Sequence, residues 1–163
     1  MSRLAAEKAR ELHKRHPNIS IPVDMEKMAE AEGCELIDWP FLKPVKEVKQ
    51  GRWIGIAQGI GARERRHLIA HALAHHLLHC GNQLSFHSQQ QEMPARQERE
   101  AEACAAHILM PGAEMDRVID LSVWEIAEYF GVPEELACQR IGEFATEEEV
   151  YHWQMTREDK FIV

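Results

Sequence analysis

The chain has 163 residues, 45% of them apolar and 28% charged, with a formal net charge of −8. That size and balance support one folded domain with its own core, plus at most a small appendage, and exclude a disordered chain. The uncharged run 68–91 contains five histidines together with Asn, Gln and Ser, which excludes a membrane span.

Residues 1–20 mix Arg, Lys and Glu with isolated apolar positions, so no signal peptide is expected. Cys34, Cys80, Cys104 and Cys138 are widely spaced with no CxxC pair, the pattern of reduced thiols in a cytoplasmic protein. The charge is unevenly distributed. Residues 1–115 hold 15 basic and 15 acidic side chains, whereas residues 116–163 hold 4 and 12. Phosphate binding needs Lys and Arg, so the C-terminal part is a poor nucleic-acid surface.

Taken in chain order, residues 4–15 alternate apolar and charged side chains at helical spacing until Pro17. A second helix is expected between Asp24, as its N-cap, and Gly33, as its stop. Residues 34–39 (CELIDW) and 50–58 (QGRWIGIAQ) have strand character, bounded by Pro40 and Pro44 and by Gly59 and Gly61. Residues 63–80 form the clearest helical pattern, closed by Gly81-Asn82. Polar residues 84–94 read as a mobile loop over whatever that helix carries. A further helix is predicted over 96–110, ended by Pro111-Gly112, then a pair over 122–130 and 133–144 around Gly131-Val132-Pro133. An acidic run and a mixed aromatic end follow from Thr146. These patterns predict an α+β fold, mostly helical with a small antiparallel sheet. Residues 1–115 read as the main domain and 116–163 as an acidic helix-turn-helix-like pair and tail packed on it.

Six of the ten histidines lie between His67 and His87, and His67, His71, His75 and His79 recur every fourth residue along one helical stripe. Imidazoles four residues apart are separated by about 6 Å of helix rise, which two inward-leaning rings can close onto one zinc ion. Residues eight apart, at about 12 Å, cannot do so. One adjacent pair therefore supplies two ligands: 67/71, 71/75 or 75/79.

His71-Ala72-Leu73-Ala74-His75 has the frame of the HExxH zinc motif, but Ala72 stands where the motif places its general-base glutamate. The next helix offers the third ligand. Glu98, Glu100 and Glu102 are all candidates, and Glu100, Cys104 and His107 share one face. A His-His-Glu set fits best, with Cys104 as the weaker third ligand. Glu98 and Glu102 are read as a solvated helix face. Gly81 excludes a third histidine at metzincin spacing.

These residues resemble the ImmA/IrrE-type zinc metallopeptidases (the DUF955 group). Residues 65–75 (RRHLIAHALAH) resemble the family's R-x-x-hydrophobic-AHELGH stretch, and His76-Leu77-Leu78-His79 resembles its continuation. Residues 98–111 (EREAEACAAHILMP) resemble its ExEAnxFAaxLLMP block, and Ile21-Pro22-Val23-Asp24 with Met28-Ala29 and Gly33 resembles its opening. The resemblance implies a zincin-like domain with Zn2+ held by His71, His75 and Glu100, and it places the missing catalytic glutamate at Ala72. Cys104 and His107 depart from the family's usual residues. Two origins compete for Ala72, a deliberate Glu→Ala change or a natural loss that leaves a pseudoenzyme. The intact ligand positions favour the first.

Loss of a positioned general base lowers rates by about 10²–10⁴-fold, so this chain is expected to bind zinc and cleave poorly. His107 and His87 are candidate oxyanion stabilisers, and His67 and His79 are expected to orient neighbours beside the metal ligands. The resemblance further implies that the substrate is a helix-turn-helix repressor, cut in a stress or mobile-element switch. A non-catalytic zinc-binding regulator of such a repressor is the alternative. Direct DNA binding by the C-terminal helix pair is disfavoured, because Glu134 and Glu135 occupy the end where phosphate and base contacts are made.

Overall fold

A computed structural model describes residues 3–40, 46–78 and 95–158, with side chains described as far as residue 146. His79, Cys80, His87 and the polar segment 84–94 lie outside the described residues. Within them the order is α1 (Arg3–Arg15), α2 (Met25–Ala31), β1 (Glu35–Trp39), β2 (Glu47–Gln50), β3 (Trp53–Ala57), α3 (Ala62–Leu78), α4 (Ala95–Leu109), α5 (Gly112–Val118), α6 (Val123–Phe130) and α7 (Glu134–Glu158). The architecture is mostly helical with one small three-stranded sheet.

The sheet corrects the expectation of an antiparallel one. Its order is β1-β3-β2, with β1 parallel to β3 and β2 antiparallel to β3. Strand β2 went unpredicted because EVKQ carries one apolar residue and follows Pro44. Its pairing comes from the two-residue connection Gly51-Arg52, where Gly51 adopts φ +57°, a value tight hairpin turns reserve for glycine. That turn sets Glu47 opposite Ile56 and Lys49 opposite Ile54. Ile54 and Ile56 are fully buried, so the same face carries Glu47 and Lys49 inward.

Helix α2 starts where expected, since the Asp24 side chain accepts a hydrogen bond from the Lys27 amide. Helix α6 opens with a complete capping box between Ser122 and Glu125 and closes at Gly131 in the left-handed conformation. Two elements differ from the sequence reading. The segment after Gly112 forms a short helix, α5, and α7 continues in helical backbone to Glu158.

Helices α3 and α4 pack antiparallel at the centre, and α1 packs chiefly on α4 while also touching α3. Alanines line the contact (Ala70, Ala74, Ala101, Ala105, all fully buried), which lets the two helix backbones approach closely. The core continues past residue 115 without a break, taking in Ile126, Phe130, Leu136, Ala137 and Phe144. Arg140 of α7 is 1% exposed, and its Nε donates to the Met110 carbonyl at 3.0 Å. Arg66 of α3 donates to the carbonyls of Val23 and Gly131, tying α3 to the turn between α6 and α7.

Candidate metal centre

His71 and His75 project from α3 one turn apart, with ring centroids 4.7 Å apart and planes at 80°. Glu98, in the first turn of α4, reaches both of them. Its Oε2 lies 3.2 Å from His71 Nε2 and its Oε1 lies 3.2 Å from His75 Nε2. One ligand atom from each of the three residues falls within 4.8 Å of the others. A tetrahedral ion with bonds of about 2.0–2.2 Å keeps its ligand atoms about 3.3–3.6 Å apart, so this donor set fits zinc with little adjustment.

The third carboxylate differs from the expected one. Glu100 was expected there, but its Oε1 pairs with Arg96 Nε at 3.1 Å, and it lines a cavity of about 670 Å³ with Arg3, Arg99 and Glu143. The reason is helical phase. Residues 98 and 102 share the stripe of α4 that faces α3, whereas residue 100 lies about 200° around the helix from 98. The solvated-face reading of Glu98 and Glu102 is corrected by the same phase. Glu98 faces the two histidines, and Glu102 pairs with His67 at 2.7 Å. The stripe could have been found by matching carboxylates at i, i+4 on α4 to histidines at i, i+4 on α3.

Other named residues sit elsewhere. Cys104 is fully buried in the core, about 240° around α4 from Glu98, and burial pushes its thiol up to about 12. His107 lies nine residues from Glu98 along α4, about 13 Å of rise, with its Nε2 3.3 Å from Glu143 of α7. An oxyanion role for His107 at this centre is therefore not supported by its position. Ala72 is fully buried within the core.

One residue of the site was missed by the sequence reading. Both oxygens of Glu47 accept from His71 Nδ1, at 3.0 and 3.1 Å. Glu47 is only 9% exposed, and His71 is therefore flanked by carboxylates on both ring nitrogens. Burial alone would lower its pKa, but the hydrogen bonds to Glu47 and Glu98 outweigh that and hold it up at about 10 in the metal-free protein. Glu98 is held far below the ordinary carboxylate range by the hydrogen bonds from His71 and His75, against its partial burial. Two imidazoles, a converging carboxylate and a supporting carboxylate form a pocket suited to a divalent cation.

Comparison with known proteins agrees with this architecture. The family model for a peptidase group described as the IrrE N-terminal-like domain matches residues 40–142. A solved structure described as a Mycobacterium tuberculosis transcriptional regulator superposes with a TM-score of 0.61 at 18% identity, covering 86% of this chain. The match covers 47% of that structure, so the chain corresponds to about half its length, and the likeness concerns the fold. No curated protein matches the sequence.

Proposed function

The chain belongs to the IrrE N-terminal-like peptidase family, and from that premise we propose that it is a zinc-binding endopeptidase-type protein acting on a helix-turn-helix repressor. The convergence of His71, His75 and Glu98 carries this reading, because a buried pair of imidazoles meeting one carboxylate is the donor chemistry of a hydrolytic zinc site. A zinc ion held there supplies Lewis acidity toward water and toward a scissile carbonyl. The protein's part is to fix the ligands, exclude competing water and move a proton. At the position where the HExxH frame puts its proton carrier, this chain has the methyl group of Ala72, which cannot accept one. Cleavage by the chain as it stands is therefore expected to be slow or absent, in line with the about 10²–10⁴-fold contribution of a positioned base.

The lack of a proton-accepting side chain at Ala72 supports a second reading, a zinc-binding regulator that grips the repressor without cutting it. Incubating the zinc-loaded Ala72→Glu variant with the cognate repressor separates the two. Appearance of a discrete cleavage product supports a peptidase site that lacks only its base. A variant that binds zinc and repressor but yields no product supports the regulator. Intact repressor with no binding to either form would defeat both readings.

A further inference from the structure

We propose that Glu47 is a positioning residue of the metal centre: from the sheet, it fixes the tautomer and ring orientation of His71 so that Nε2 is presented to the cation. This rests on the zinc reading above and extends it to a residue in neither the HxxxH segment nor the glutamate helix.

An ionised carboxylate only accepts hydrogen bonds, so the His71 Nδ1 that sits 3.0 and 3.1 Å from its two oxygens carries a proton. With Nδ1 committed, Nε2 is the nitrogen left for coordination, and Nε2 is the atom that faces Glu98 at 3.2 Å. The need for a clamp falls on His71 more than on His75. His75 is 4% exposed between the packed helices, whereas the His71 side chain is 14% exposed, at the border of α3 and the sheet. A partly exposed imidazole in neutral form otherwise divides between two tautomers and several ring rotations, and metal binding must select one of them.

The sheet is built to deliver this carboxylate. Glu47 lies opposite Ile56 on the inward face of β2, and two residues on, Lys49 Nζ donates to the Gly51 carbonyl at 2.7 Å within the hairpin turn. A charged side chain at an inward strand position, buried to 9% exposure, requires a partner, and His71 is that partner. Besides the apolar packing of β3 against α3, the Glu47–His71 contact therefore links the hairpin to the ligand-bearing helix itself.

The test is zinc affinity of the full chain by competition with a chromophoric chelator, together with nitrogen-15 NMR of the His71 ring in the zinc-loaded protein. Glu47→Ala is expected to weaken zinc binding about 10–100-fold, as loss of such supporting partners does elsewhere, and to remove the protected Nδ1–H signal. Glu47→Gln keeps the shape and one acceptor oxygen, so it is expected to retain that signal with a smaller affinity loss. It also keeps the proposal testable if Glu47→Ala does not fold. Wild-type affinity in both variants, or a zinc-loaded wild type whose His71 ring is metallated at Nδ1, overturns the role of Glu47 while leaving the zinc site standing. Failure of the wild type itself to bind zinc overturns both.

Discussion

At the scale of single residues, protons and the proposed cation would compete for the same three side chains. In the metal-free protein His71 is an imidazolium held between Glu47 and Glu98. Its raised pKa stabilises the fold fully below the ordinary 6.5 and is lost as pH rises through about 10. The depressed Glu98 acts in the opposite direction, stabilising fully above the ordinary 4.5 and losing that as pH falls into the strongly acidic range. The excess thermal stability of metal-free wild type over His71→Ala should therefore shrink between pH 7 and pH 10. A difference that stays constant across that range would count against the ion-paired geometry.

Zinc must displace the His71 proton, so apparent zinc affinity should climb with pH over the same interval. The choice of carboxylate is equally direct to check. Glu98→Gln should lose more zinc affinity than the about 10–100-fold typical of supporting residues, and Glu100→Gln should stay close to wild type. Equal losses would return Glu100 to the ligand set.

Among elements, what matters is which stripe of one helix meets which stripe of another. The histidine stripe of α3 was legible in the sequence because a period of four is a helical signature that needs no partner. The stripe of α4 was not. Glu98 and Glu102 lie within about 40° of one another on the helix and Glu100 about 200° from Glu98, and only the packing of α3 against α4 decides which of them faces the two histidines. Glu47 was hidden for a related reason, since its inward orientation follows from the hairpin register and β2 has too few apolar residues to announce itself as a strand.

Caps were easier to read, because their signals are local. Asp24, Ser122 and Gly131 each sit where their side chains or conformational freedom require. Gly131 carries a tertiary burden as well. At φ +61° a Cβ would press against the Arg66 guanidinium and lie 3.1 Å from the Pro22 Cβ. Gly131→Ala is thus expected to destabilise the fold by more than about 1 kcal/mol in chemical denaturation, against about 1 kcal/mol for Ser122→Ala, which removes a cap alone. A Gly131→Ala variant as stable as wild type would contradict the close approach of α3 to that turn.

For the molecule as a whole, one continuous core joins α3 and α4 to the C-terminal pair. The charge asymmetry in the sequence did not indicate this, because the acidic excess is a surface property while Phe130, Leu136, Ala137 and Phe144 face inward. Arg140 is the joint between the two parts. It is buried, bonded to the Met110 carbonyl and stacked 5.6 Å from the Phe144 ring centre. Arg140→Leu should cost about 1–3 kcal/mol by leaving that carbonyl unsatisfied, and thermal melts should show a single transition moving down, not a separate early one. No helix among the described residues is long and apolar enough to cross a membrane.

The central claim is that one cation binds where α3 and α4 face each other. Anomalous scattering at the zinc edge from crystals of the zinc-loaded chain tests it most directly. The expected result is a single strong peak within about 2.0–2.2 Å of His71 Nε2, His75 Nε2 and a Glu98 oxygen. A peak bonded to Glu100 or Cys104, or density for ordered protein with no peak between the two helices, would contradict it.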